Sequence, residues 1–138
     1  MKIIGFNLSK ILIQRKEVIE PDLNASQNID IKDITRLKIP ISNEEALKIN
    51  FNFKVDYSKE AANLDFGGYV LIHAKEEEMG KILKSWSKKE KEIPPEIRIS
   101  LFNFIMSKCN IKALSLEDEM NLPFHIPLPH ITSKNEDN

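Results

Sequence analysis

A chain of 138 residues, 41% hydrophobic and 30% charged, is long enough to close a sizeable core as one domain and needs neither metal nor disulfide to fold. Its 20 basic and 21 acidic side chains leave a formal net charge of −1, which excludes a whole-chain field for recruiting nucleic acid or anionic lipid. Cys109 is the single cysteine, so no intramolecular disulfide can form; a reducing, cytoplasmic setting is expected.

Residues 2–16 alternate weakly between apolar and polar and predict a first strand. They do not read as a signal peptide, because polar residues interrupt the apolar ones and no small-residue cleavage site comes after them. No apolar run approaches the roughly 18 residues that a spanning helix requires, so no membrane insertion is expected. Glu17 to Asn28, with Pro21, Asn24 and Ser26, reads as a long polar connection. In residues 28–41 the side chains Ile29, Ile31, Leu37, Ile39 and Ile41 share one parity, a strand with room for a kink about Asp33 and Thr35 and an end at Pro40.

The clearest alternation lies in the next segment. Leu47, Ile49, Phe51, Phe53, Val55 and Tyr57 interleave with Lys48, Asn50, Asn52, Lys54 and Asp56, giving a strand with one buried and one wet face. A turn-rich gap, 58–63, leads to a fourth strand over Leu64 to Ala74, as in an antiparallel hairpin with a longer loop. Gly67 and Gly68 within that strand predict a bulge or a close approach by another backbone.

The period then becomes helical. Met79, Ile82, Leu83 and Trp86 share a face, Glu76, Glu77 and Glu78 fill the first turn, and Lys88, Lys89 and Lys91 fall at or past the end, as the helix dipole favours. Pro94 stops this helix and Pro95 opens the next. From Glu96 to about Cys109, one apolar stripe holds Ile97, Leu101, Phe104 and Ile105, and a second holds Ile99, Phe102, Met106 and Cys109. A helix apolar on two sides wants two partners, of which the sheet is one and a second subunit or a bound chain the other. One or two further helical turns are expected within 111–120. Pro123, Pro127 and Pro129 then enforce an extended path, and 132–138 is a polar, disordered tail. Residues 1–131 are thus expected to form one domain, with 121–131 as its proline-rich extended segment.

The chemistry-bearing residues favour no catalytic or metal site. His125 and His130 straddle two prolines and cannot share a helical face as paired ligands would; they read as exposed tail histidines. His73 reads as a core or edge histidine, and Cys109 as a small buried hydrophobe. Gly67-Gly68 lacks the lysine, the third glycine and the following helix of a phosphate loop. The cluster of Lys81, Lys84, Lys88, Lys89 and Lys91 beside Trp86 admits RNA contact, but nearby glutamates favour a solvated face. Glu117, Asp118 and Glu119 read as solubilising. The segment Leu122-Pro123-Phe124-His125-Ile126-Pro127-Leu128-Pro129 is suited either to dock in a partner's apolar groove or to wrap back on its own domain. No catalytic residue and no cofactor is assigned.

The order of elements, together with Phe66-Gly67-Gly68-Tyr69-Val70-Leu71-Ile72, the run from Ile93-Pro94-Pro95 to Met106-Ser107, and Met120-Asn121-Leu122-Pro123, resembles the SecB family of protein-export chaperones over roughly residues 2–128. The resemblance implies an α+β fold in which a four-stranded antiparallel sheet is followed by two helices packed on it. It also implies a homo-oligomer, dimer or tetramer, and apolar grooves that hold unfolded polypeptides. Carried to this chain, it implies polypeptide binding by Val18, Ile19 and Leu23 of the long connection and by Phe102, Met106, Met120 and Phe124 of the long helix and its exit. The near-neutral charge departs from the strongly acidic members that meet the export motor SecA. The alternative expectation is a non-enzymatic adaptor, for the ribosome or another folded partner, docking through the lysine-rich helix and the proline-containing tail.

Overall fold

The computed structural model describes residues 1–129 and 131; the expected disordered tail and His130 lie outside them. Four strands, β1 (Lys2–Arg15), β2 (Ala25–Lys38), β3 (Glu45–Tyr57) and β4 (Ala62–His73), precede two helices, α1 (Glu76–Trp86) and α2 (Pro95–Glu119). The strands form one antiparallel sheet in the order β1-β4-β3-β2, so the chain has the α+β architecture implied by the SecB resemblance.

The period-two pattern decides which sheet face is buried. Leu47, Ile49, Phe51, Phe53, Val55 and Tyr57 of β3 are all buried, as are Leu64, Phe66, Val70 and Ile72 of β4; Phe53 and Phe66 are cross-strand partners whose rings stack at 5.6 Å. Met79 and Ile82 of α1 and Ile97, Leu101 and Ile105 of α2 join the same core. The opposite face carries Lys48, Asn50, Asn52 and Lys54 and remains open.

Three register shifts shape the sheet, one of them between Ile3 and Gly5 of β1. In β2 a register shift between Ile31 and Asp33 provides the kink, and it also flips the parity of the second half of the strand. Ile34 becomes the buried residue opposite Ile49, whereas Leu37 passes to the other face and Ile41 stands in solvent, 99% exposed; the single parity expected across 28–41 is therefore corrected. In β1 a shift between Leu8 and Lys10 lies opposite Gly67 and Gly68. The bulge belongs to the partner strand, and the glycines supply the close approach.

The chain must carry β1 and β2 to opposite edges of the sheet, and residues 16–24 make that crossing over the tip of the β3–β4 hairpin. Lys16 N–H donates to the Ala61 carbonyl at 2.9 Å, Ser58 N–H to Asn24 at 2.7 Å, and Asn24 N–H to Ser58 Oγ at 3.0 Å.

Helix α2 departs from the expected break near Cys109. No glycine or proline interrupts 96–120, and the helix runs unbroken for 25 residues from Pro95 at its first turn. It stops at Asn121, whose φ of 54° places it in the left-handed region that asparagine tolerates. Leu122 N–H then donates to the Glu117 carbonyl at 2.8 Å and Asn121 N–H to Asp118 at 3.2 Å, the paired bonds of a Schellman stop. Two more terminal carbonyls, Met120 and Asn121, accept from Arg15 Nη1 at 2.9 and 3.2 Å, tying the end of β1 to the end of α2.

Candidate functional site

Helix α2 buries every fourth residue: Ile97, Leu101, Ile105, Cys109, Ala113 and Glu117. Its two flanks also carry apolar side chains. Phe104 turns toward β1, meeting Phe6 edge-on at 5.8 Å, and Phe6 stacks on Phe51 at 5.7 Å. Phe102 lies roughly 200° around the helix from Phe104, on the other flank, with Met106 one turn below it and Asn110 one turn further. Ile99 falls on that same side, three turns from Asn110, and is 61% exposed. Ile99, Phe102 and Met106 thus form an apolar strip on the flank of α2, with Phe102 and Met106 only half-buried.

Below the strip the same flank is occupied. After the helix stop the chain reverses, and the His125 side chain, 1% exposed, inserts against α2. Its Nδ1 donates to Glu117 Oε2 at 2.7 Å, its Nε2 lies 2.8 Å from Asn110 Oδ1, and its backbone N–H donates to Glu117 Oε1 at 3.1 Å. The imidazole also meets the Phe53 ring edge-on at 6.3 Å. The Tyr57 hydroxyl donates to the Pro123 carbonyl and pins the segment from the sheet side. Burial, and then the neighbouring Glu117 carboxyl, push the Tyr57 phenol above its ordinary pKa of 10.0.

Two expectations are corrected here and one open choice is narrowed. His125 is no exposed tail histidine, and Glu117 is no solubilising carboxylate, for its side chain is wholly buried. The open choice for the proline-containing segment resolves toward its own domain as far as His125, while Phe124 and Leu128 keep 41% and 44% of their surface in solvent. The Glu–His pairing has the look of a general-base dyad, but the outer ring nitrogen is taken up by Asn110, and Cys109, the nearest thiol in sequence, is buried and pushed up to about 12 by desolvation. This arrangement holds a chain segment; it does not present a nucleophile.

The seven residues expected to bind polypeptide fall into two groups. Val18, Ile19 and Leu23 line one cavity of about 150 Å³ together with Lys16, Glu20, Lys59 and Ala61. Val18 projects 84% exposed, while Ile19 and Leu23 pack partly on the core. Met120 does not line this cavity, but Arg15 ties its carbonyl to those of Lys16 and Glu17 at the start of the same connection. Phe102 and Met106 sit elsewhere, about 27 and about 21 Å along the helix from Met120 at 1.5 Å per residue. Phe124 lies at the start of the returning segment, between the two. Ile99 belongs to the second apolar stripe of the sequence, and its exposure makes it a further candidate.

The other sequence features are accounted for locally. Trp86 packs against the core and carries Lys91 over its ring at 5.9 Å, which leaves it poorly placed as a stacking platform. His73 Nδ1 donates to the Glu45 carbonyl at 3.1 Å. Among the described residues there is no group of three or more His, Cys, Asp or Glu side chains suited to a metal ion, and no helix is long and apolar enough to cross a membrane.

No family model matches the chain, and no curated protein matches it. Among solved structures it is similar to the Mycobacterium tuberculosis Rv1957 SecB-like chaperone, determined in complex with a ChAD peptide from the Rv1956 HigA1 antitoxin. The likeness covers 96% of this chain and 91% of that one, with a TM-score of 0.57 and 13% sequence identity. At that identity the likeness is one of fold, and the fold that the two chains share is SecB-like.

Proposed function

We infer that this protein is a SecB-like holdase that captures non-native polypeptide segments on two apolar patches, without nucleotide, metal or covalent chemistry. The observation that carries this reading is the strip of Ile99, Phe102 and Met106 on a helix that also packs on the core and, through Phe104, on β1, and receives the returning segment at its C-terminal end. A flank of this composition costs free energy in water and regains it when an apolar segment covers it. Methionine and aromatic side chains adapt to varied sequences, which suits clients that share hydrophobicity and little else. The SecB-like structural neighbour was solved holding a peptide from another protein, which supports polypeptide as the ligand class.

In this reading Val18, Ile19, Leu23 and Met120 form the second patch, and an extended client of six or seven residues spans the roughly 20 Å between the two. Copies of the chain assemble as a dimer or tetramer through apolar surface that the client does not use, including Ile111 of α2 and Ile4, Ile11 and Leu12 of the edge strand β1. The rival adaptor role would use the tail as a docking arm, but that segment is held against its own domain through His125.

The test is suppression of aggregation of a chemically unfolded protein at low and at high salt. The wild type is expected to suppress it with little salt dependence, as apolar capture requires, and Phe102→Asp or Met106→Asp is expected to lose suppression while remaining assembled. Full suppression by assembled variants would sink the groove assignment. A steep fall with salt would favour the lysine-rich adaptor surface instead.

A further inference from the structure

The geometry points to the outer edge of β2, from Ala25 to Ile31, as a backbone docking site on which a non-native polypeptide segment adds to the sheet as a fifth strand. The inference rests on the holdase reading and adds the conformation in which client is held.

Three observations carry it. The first is the direction of the free backbone groups. Ser58 N–H donates to the Asn24 carbonyl at 2.7 Å, so Asn24 faces β3, and in an antiparallel ladder the residues that face the partner alternate. Ser26, Asn28 and Asp30 therefore turn their N–H and C=O groups to β3, while Ala25, Gln27, Ile29 and Ile31 turn theirs away from the sheet. Among the described residues no other backbone group bonds to that outer row.

The second is a contrast within the strand. Ile39 N–H donates to the Glu44 carbonyl at 2.7 Å, so beyond the bulge at Lys32 the alternation shifts by one residue and Ile34 faces outward. There the Ile34 N–H is already satisfied by Asp33 Oδ1 at 3.0 Å. A bulge bearing a lysine and a capped amide blunt that half of the edge against pairing, whereas the seven residues from Ala25 to Ile31 carry no such device.

The third is an acceptor without a donor. Gln27 pairs with the buried Val55 and so lies on the core-facing side of β2, where its Oε1 is buried and has no hydrogen-bond partner among the described residues. Buried acceptors rarely stay unpaired, and a strand laid beside β2 brings a side chain opposite Gln27 from which a hydroxyl or amide can donate. The same strand extends the rows of Ile29 with Phe53 and Ile31 with Phe51, completing the cover of two isoleucines that are only partly buried.

The chemistry of the edge selects its occupant. Backbone pairing recognises an extended chain with free N–H and C=O groups whatever its sequence, and a folded protein has already committed those groups to its own structure. A second folded copy is better served by β1, whose Ile4, Ile11 and Leu12 are exposed; β2 has no exposed large apolar side chain. Seven residues span about 23 Å at 3.3 Å each. Leu23 stands two residues before Ala25, so client leaving that end of the edge meets the patch of Val18, Ile19 and Leu23.

The experiment uses the full-length protein and reduced, carboxymethylated α-lactalbumin, which stays unfolded. Amide hydrogen exchange is followed residue by residue by nuclear magnetic resonance, with and without that client. Binding is expected to slow exchange at Gln27, Ile29 and Ile31 about tenfold or more, and to change Ser26, Asn28 and Asp30, already bonded to β3, much less. Gln27→Pro deletes one outward donor without breaking the ladder to β3 and is expected to weaken client affinity about tenfold. If that variant folds poorly, the exchange pattern of the wild type decides alone. Client binding without the alternating protection overturns the proposal and leaves the holdase reading standing, as does client binding at wild-type strength by a folded Gln27→Pro variant. Absence of client binding by the wild type overturns the holdase reading itself.

Discussion

The carbonyl oxygen of Asn7 in β1 lies where a side chain on Gly68 in β4 would begin, for a Cβ built on Gly68 falls 2.2 Å from it. The obstacle is backbone on both sides, so no rotamer change relieves it. Its neighbour Gly67 has ordinary room, with Lys10 Cβ 3.5 Å from the corresponding position.

The two glycines should therefore separate cleanly. Gly68→Ala is expected to lower the unfolding free energy by about 3 kcal/mol or more and to loosen β1, whereas Gly67→Ala stays within about 1 kcal/mol of the wild type. Denaturant melts of the two variants decide it, and equal effects would show that the strands can part without cost.

Helix α2 allows stability and binding to be uncoupled. Leu101→Ala opens a cavity in the core and is expected to cost about 2–5 kcal/mol with the client surface intact. Ile99→Asp alters only exposed surface and is expected to change stability by less than about 0.5 kcal/mol while weakening capture of unfolded chains. Matched melting and binding curves test the pair, and the opposite pattern would reverse the assignment of the two faces.

The Tyr57 phenol gives the returning segment a pH signature. Its folded-state pKa is raised, first by burial and then by Glu117, so the stability it contributes is intact below the ordinary pKa of 10.0 and is lost as pH climbs beyond that value toward the folded one. An ultraviolet tyrosinate titration should show a late component that Tyr57→Phe removes. If that component appears at the ordinary pKa, the hydroxyl is not held as described.

Cys109 offers a simple probe of the core. With its pKa pushed up to about 12 by burial, the thiol is expected to resist thiol reagents at neutral pH in the folded protein and to react once per chain after denaturation. Fast labelling of the folded protein would mean that α2 lifts from the sheet.

Much of this fold is legible in the sequence because burial tracks periodicity wherever the backbone is regular. Leu47 to Tyr57 mark β3 and its buried face, and the acids of Glu76 to Glu78 mark the start of α1. The pattern misleads where one local event changes the reading frame. A single bulge at Ile31 moves the buried parity of β2 onto Ile34, and nothing in the composition fixes the position of such a bulge. Glu117 misleads because three consecutive acids look like surface. A signal is nevertheless present: the stripe of Ile97, Leu101, Ile105, Cys109 and Ala113 arrives at Glu117 on its next step. The stripe does not contain the partner, since His125 is buried only by a segment that folds back after the helix has ended. The two patches of candidate binding residues are likewise beyond sequence reasoning, because their separation depends on the unbroken length of α2.

The order of strands also bears on how the chain is born. β1 is synthesised first, yet its only partner in the sheet is β4: Arg15 waits for Ala62, and Lys2 for His73. At typical rates of translation that wait is roughly several seconds, during which Ile3, Phe6, Leu8, Ile11 and Ile13 have no native strand to join. The meander of β2, β3 and β4 closes through neighbouring segments and can form before β1 docks on its edge. Through those seconds each nascent copy carries an exposed apolar strand, and a mature copy that holds such segments would find its earliest clients among the unfinished chains of its own kind.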